Sequence, residues 1–322
     1  MDGSSLGMAK MNAEFKKFDR SIKLSDAKVK ELKTSRDAIR ESLKEWFRNN
    51  GKGTVKFCMQ GSMAMKTVIS PLDEDDYDID DGIYLEGVDL LAEGCPAATT
   101  VHSWVMKAVS DQTSYDPTDK NTCVRVPYAH GYHVDIPIYA LDGDSAYLAH
   151  KRDGWVNSDA KDFKDWLREK SLGDSQLRRI IRYLKRWKDY CSVDLKGIEI
   201  TILAGEHYES ALGRDDDALR YTVANIIDAL DVDFACRKPV TPWEDLFEGC
   251  SDTKRATIIL RLSTLYKALV FANETDDAHI ASKKLRAYFG DDFPLAKKEN
   301  GSRASLASTA APAILTRDGR SG

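Results

Sequence analysis

The chain has 322 residues, of which 31% are charged and 42% hydrophobic, and a formal net charge of -5 at pH 7. That much apolar material excludes general disorder and suffices for two lobes with full cores. The acidic balance argues against a protein whose main task is coating nucleic acid, and no apolar run reaches the roughly 20 residues of a membrane span.

Residues 25–49 place Val29, Leu32, Ile39, Leu43, Trp46 and Phe47 near the helical period, with Ser25 or Asp26 as cap and Gly51 as stop. One long helix is predicted there. Residues 54–60 alternate as a strand, Gly61-Ser62 reads as a turn, and 63–68 as a short helix ending before Pro71. A second strand follows over 77–85, a helix over 96–112, and a hairpin of 122–126 with 132–141 around Pro127 and Gly131. From residue 159 the pattern is helical over 159–171, 174–190, 198–212, 217–230, 253–272 and 277–289, with a loop over 232–252. Beyond Pro294 the chain is rich in Ala, Ser and Gly and lacks aromatics, which predicts no fixed structure. The expected architecture is α/β (α+β): a mixed-sheet lobe over 1–150, an α-helical lobe over 151–295, and a tail over 296–322.

The N-terminal MDGSSLGMAKMNAEF has no apolar stretch of the kind a secretory signal requires. Six scattered cysteines without CxxC spacing predict reduced thiols, and a cytoplasmic location is expected. The six histidines (His102, His130, His133, His150, His207, His279) show no paired ligand spacing and are expected at the surface or in the core.

Strand alternation places Asp78 and Asp80 on one face, with Tyr77, Ile79 and Asp81 on the other. Two carboxylates so close repel each other unless a cation sits between them, and Mg²⁺ suits such oxygen ligands. Gly61 lets the backbone approach a phosphate, while Ser62 and neighbouring amides can donate to a triphosphate. Asp135, on the strand over 132–141, is the third candidate carboxylate. Each feature alone has a plain alternative. The stretch 73–81 holds seven acidic residues, and most such runs are solvated; Gly-Ser is commonly just a turn; a strand Asp commonly lies at a sheet edge. The specific signal is their order: strand, Gly-Ser, short helix, strand with DxD, hairpin, strand with Asp. Phosphoryl transfer needs positioning and charge neutralisation, which three carboxylates and two metal ions supply.

The order of Gly61-Ser62, Asp78-Ile79-Asp80 and Val134-Asp135-Ile136 resembles the polymerase β-like nucleotidyltransferase superfamily, although the gap from Ser62 to Asp78 is longer than in its minimal members. The wording QGSMAMKTVISPLDEDDYDIDDGIYL, with HVDIPIYAL downstream, is similar to the bacterial cGAS/DncV-like nucleotidyltransferases (CD-NTases) of CBASS anti-phage systems. The likeness is best over 54–150, weaker through the helical lobe and absent in the tail. It implies an active site in the cleft between the lobes, two Mg²⁺ ions (or Mn²⁺ in their place) on Asp78, Asp80 and Asp135, and triphosphate contacts from Gln60, Gly61 and Ser62. It also implies that ATP, GTP or both are joined into a cyclic di- or trinucleotide that switches on an effector protein. The zinc-binding insertion of animal cGAS has no counterpart, so nothing here argues for DNA-triggered activation.

In the helix over 174–190, Leu177, Ile180, Ile181, Leu184 and Trp187 form the apolar stripe, with Arg178, Arg182 and Lys185 on an adjacent face. A solvated basic face is the plain alternative. The resemblance implies that Lys185 contacts donor phosphates, assisted by a hydroxyl on the next helix, for which Thr201 is the candidate. Tyr128, Tyr132, Tyr208 and Asp245 are candidates for lining the base pocket. The resemblance also implies a ubiquitin-activating-like partner enzyme that conjugates the chain through Gly322. Linear oligonucleotide synthesis, nucleotidyl transfer to RNA or protein, and an inactive nucleotide-binding module are the alternatives.

Overall fold

The computed structural model describes residues 10–72, 77–129, 131–143, 145–158, 160–173 and 175–298. The expected conjugation site Gly322 and most of the tail lie outside them.

The long helix α2 (Asp26–Asn49) begins where the Ser25 side chain accepts from the Lys28 amide, and it buries Leu32, Ile39, Leu43 and Phe47. That stripe packs with the apolar face of a mixed sheet, forming one of two large cores. The sheet is organised around β2 (Tyr77–Leu85), with β1 (Val55–Met59) antiparallel along one edge. Along its other edge run β5 (Tyr132–Ile136) and β6 (Ile138–Asp142), both parallel to β2. Pro137 separates them because it has no N–H to donate, yet its carbonyl still accepts from the Ile83 amide at 2.9 Å. The two strands therefore form the single extended line expected over 132–141.

From β5 the sheet extends through β4 (Val124–Tyr128) to β3 (Thr118–Asp119); from β6 it extends through β7 (Ser145–His150) to β8 (Gly154–Asn157). The strands β3, β7 and β8 were not expected, and the sheet reaches residue 157 rather than ending near 150. They are short and flank turns, so they carry little alternation of their own. Helix α4 (Ala98–Ala108) covers this side, and α3 (Gly61–Met65) starts at the glycine itself, earlier than expected.

The second core belongs to the helices α5 (Ala160–Lys170), α6 (Gln176–Tyr190), α7 (Gly197–His207), α8 (Asp215–Val232), α9 (Asp252–Glu274) and α10 (Ala278–Phe289). An unforeseen helix, α1 (Asn12–Ile22), joins them from the start of the chain. Its Phe15 and Phe18 meet Tyr183, Phe289 and Phe293 with ring centroids 5.0 to 5.8 Å apart. Among the described residues no helix is long and apolar enough to cross a membrane.

The two bodies are joined by the cations of α6. Arg178 donates to the Met65 carbonyl at 3.1 Å, Arg182 to that of Lys66 at 2.6 Å, Lys185 to that of Thr67 at 3.3 Å and Arg186 to that of Ser70 at 2.8 Å. The basic face is thus neither solvated nor wholly free for phosphate; most of it grips the backbone that follows α3. Arg182 also pairs with Asp19 of α1 at 2.7 Å, both side chains being about 5% exposed. Removing one member of a buried pair leaves the other uncompensated, so Asp19→Ala is expected to cost about 3 kcal/mol in denaturant unfolding. The double change Asp19→Leu with Arg182→Met should recover most of that loss.

Candidate active site

The parallel register of β2 and β5 sets Asp78 beside His133 and Asp80 beside Asp135. Alternation turns all four toward one face, so they stand as corners of a square on two neighbouring strands. His133 Nε2 lies 4.0 Å from Asp78 Oδ2 and 3.7 Å from Asp135 Oδ2. Ligand atoms of Asp78, His133 and Asp135 all fall within 4.8 Å of one another. His133, expected at the surface or in the core, is buried beside the candidate carboxylates, a neighbourhood the sequence reading did not assign to it. The signal was present: His133 stands two residues before Asp135 on the same strand.

Arg125, the register partner of Asp135 on β4, donates from Nε and Nη2 to its two carboxylate oxygens at 2.7 Å each. On the opposite face of β2, Asp81 is buried and receives two bonds of 2.6 Å from Arg40 of α2. Its role is structural, as its place in the alternation requires.

Gly61 has φ +61°, and a Cβ there would stand 1.8 Å from Asp80 Oδ2. Only glycine lets the turn lie directly on that carboxylate. The Gln60 amide donates to the Asp80 carbonyl at 2.8 Å. Its side chain donates to the Tyr84 hydroxyl at 3.3 Å and accepts from that of Tyr139 at 3.1 Å, so Gln60 latches the turn to the sheet.

A cavity of about 470 Å³ opens between the sheet and the helices. Gln60, Gly61, Ser62, Asp78 and Asp80 line its sheet side; Lys185 and Thr201 line the other. Asp135 and His133 do not line it; they stand behind Asp78, their ligand atoms within 4.8 Å of its own. The Thr201 hydroxyl donates to the Gly197 carbonyl at 2.8 Å within α7. The expected base-pocket residues are elsewhere. Tyr132 bonds to Ser35 and stacks on Tyr128, Tyr208 donates to Gln176, and Asp245 accepts the amides of Cys236 and Phe247. The apolar lining comes instead from Met65, Ile69, Phe163 on α5, Ile198 on α7 and Val240 in the loop over 232–252, where Thr241 also lines the cavity. No local pattern in that loop marks which side chains point inward.

Burial, reinforced by Asp78 and Asp135, pushes the Asp80 carboxyl up to about 8. Burial also raises Asp78, opposed by His133 and aided by Asp135. Across the cavity, burial lowers Lys185 to about 8, and Asp78 and Asp189 partly offset this. The site therefore favours a cation among its carboxylates and an anion against Lys185. Crowded, half-buried oxygen donors that resist ionisation fit hard divalent cations such as Mg²⁺.

Residues 55–139 match the family described as cyclic GMP-AMP synthase DncV-like, nucleotidyltransferase domain. A cyclic GMP-AMP synthase of Escherichia albertii is 30% identical over 219 residues, which make up 63% of this chain and 47% of that protein. The chain thus spans about half the length of this relative. Among solved structures, the Vibrio cholerae di-nucleotide cyclase DncV in complex with GTP and 5MTHFGLU2 superposes with TM-score 0.77 at 18% identity, covering 90% of this chain and 100% of that one. Its apo form gives 0.74 at 19% identity (89% and 99% covered). Escherichia coli DncV with 3'-deoxy GTP gives 0.70 at 20% identity (85% and 93% covered). The fold is that of a polymerase β-like nucleotidyltransferase lobe joined to a helical lobe, as in DncV. Within that class, residues 55–139 match the DncV-like nucleotidyltransferase domain, and the chain is similar to the cGAS/DncV-like nucleotidyltransferases.

The carboxylate crowding has a pH signature. Folded Asp80 holds its proton up to about 8, whereas an unfolded chain releases it near 4. The native state binds the extra proton between those limits, so this group's contribution to stability falls as pH rises through the window and is flat above it. In EDTA, the melting temperature of the wild type should fall from about pH 4 to about pH 8 relative to Asp80→Asn. At pH 8 the variant should melt higher.

Proposed function

We propose that this chain is a cyclic oligonucleotide synthase, joining ATP, GTP or both into a cyclic di- or trinucleotide with release of pyrophosphate. The observation that carries this reading is that Asp78 and Asp80 on β2, backed by Asp135 on β5, face the buried Lys185 across a cavity floored by Gly61-Ser62. The cyclic GMP-AMP synthase relative and the solved DncV structures holding GTP or 3'-deoxy GTP support a nucleotide substrate and a cyclic product. On this reading the product serves anti-phage defence by switching on an effector protein.

The donor triphosphate lies against Ser62 and Lys185, whose ammonium is a point charge for phosphate oxygens. The acceptor hydroxyl lies toward Asp135, which Arg125 holds in one orientation. The new bond joins that oxygen to the α-phosphorus as the bond to pyrophosphate breaks. Asp78, Asp80 and Asp135 would hold two Mg²⁺ ions, or Mn²⁺ in their place, which neutralise the triphosphate and lower the pKa of the attacking hydroxyl. Phe163, Ile198 and Val240 give the cavity apolar surface against which a base can stack.

Labelled nucleoside triphosphates incubated with protein and Mg²⁺, then treated with phosphatase, test the proposal. A resistant product is the expected result; a trimmed product means linear synthesis, and no product refutes the enzymatic reading. Asp78→Asn and Asp80→Asn should each abolish product while the folded structure, followed by circular dichroism, persists. Gly61→Ala should do the same by driving a methyl group into Asp80. Lys185→Ala should weaken binding of a non-hydrolysable ATP analogue by roughly tenfold or more, the worth of a hydrogen bond to a charged group. Unchanged affinity in calorimetry would leave Lys185 as a purely structural contact to Thr67.

A further inference from the structure

Three corners of the square on β2 and β5 are carboxylates, and the fourth is an imidazole. We infer that His133 is a nitrogen ligand of the acceptor-side metal ion, shared with Asp78 and Asp135, and that it biases this site toward Mn²⁺ over Mg²⁺. The inference rests on the nucleotidyltransferase reading above and specifies the metal chemistry of that site.

Ligands about 2.1 Å from an octahedral ion stand about 3 Å apart when adjacent and about 4.2 Å apart when opposite. His133 Nε2 stands 3.7 Å from Asp135 Oδ2 and 4.0 Å from Asp78 Oδ2, and the three ligand atoms all lie within 4.8 Å of one another, so side-chain shifts of about 1 Å complete the arrangement. The backbone imposes this proximity. His133 is the register partner of Asp78 across the strands, and alternation puts it on the same face as Asp135. With a side-chain exposure of 7%, the imidazole is held within the group. Arg125 occupies one direction at each oxygen of Asp135, but a carboxylate oxygen has a second lone pair, so Asp135 can bind the guanidinium and an ion together.

The chemical consequence follows from ligand softness. Mg²⁺ prefers oxygen and sheds water reluctantly, whereas imidazole suits the transition metals. A site of two carboxylates and one imidazole gains more from Mn²⁺ than an all-carboxylate site does.

The full chain loaded with Mn²⁺ and a non-hydrolysable ATP analogue can be examined by pulsed electron paramagnetic resonance. A histidine-nitrogen coupling to Mn²⁺ is expected, changing to the ¹⁵N pattern when the protein carries ¹⁵N-labelled histidine and vanishing in His133→Gln. Calorimetry should show the preference for Mn²⁺ over Mg²⁺, as a ratio of dissociation constants, falling roughly tenfold in that variant. The labelled wild type reports without any substitution, so misfolding of the variant does not weaken the test. Mn²⁺ bound beside the nucleotide with no histidine coupling overturns the inference and leaves the nucleotidyltransferase reading intact. Failure to bind either ion in the presence of the nucleotide analogue overturns both.

Discussion

The repulsion among Asp78, Asp80 and Asp135 is the constraint around which the rest of the molecule is arranged. Burial strengthens it, because charge is less well solvated between the sheet and the helices than in water. Left alone, such a cluster would relax by moving its strands apart or turning its side chains outward. Each neighbouring contact prevents one of those movements. Arg40 fastens the back of β2 to α2 through Asp81, Arg125 fixes both oxygens of Asp135, and Gln60 ties the turn to Tyr84 and Tyr139. Gly61 then closes the remaining space beside Asp80. With its geometry fixed, the apo protein meets the repulsion by keeping the Asp80 proton up to about pH 8, and a bound cation would take that proton's place.

The helical body is held to this arrangement by polar contacts as well as by Met65 and Ile69, which pack into its core. The two large cores remain separate, one under α2 and one among α1 and α5 to α10. Between them, four cations of α6 meet the carbonyls of Met65, Lys66, Thr67 and Ser70, at the end of α3 and just beyond it. Lys66 in this stretch has φ +60°, an uncommon conformation for a residue with a side chain. Burying guanidinium groups is costly unless they are satisfied, and Asp19 with the Lys66 carbonyl meets that need for Arg182. Lys185 shares the same row, so its position toward the cavity is set by a structural element rather than by a flexible side chain alone.

Much of this was legible in the sequence where local pattern and tertiary role coincide. The strand with Asp78 and Asp80 was bounded correctly because its alternation serves both the sheet and the site. Helix α2 and the seams of α6 to α10 were readable for the same reason. Helix α1 was missed although Met11, Phe15, Phe18 and Ile22 recur at helical spacing; its charged residues masked a short apolar stripe. His133 was set aside because metal-binding histidines were sought as spaced pairs, whereas this one belongs with Asp135 by strand alternation. The wall of the cavity was illegible for a deeper reason. Which side chains of the 232–252 loop face inward is decided by how that loop packs on α7, and nothing in its local composition encodes that.

The row of cations along α6 also bears on how a two-step ligation could proceed. Opening the cleft by swinging one body away from the other would break four charged contacts to backbone at once, which opposes that motion. On the proposed reading, a linear intermediate must exchange its ends between donor and acceptor positions before the ring can close. In a chamber that resists opening, that exchange falls to the ligand: the dinucleotide dissociates, or tumbles in place, while the two bodies stay joined. The size of the ring would then be governed by the dimensions of the chamber, as a die sets the shape of what is pressed in it.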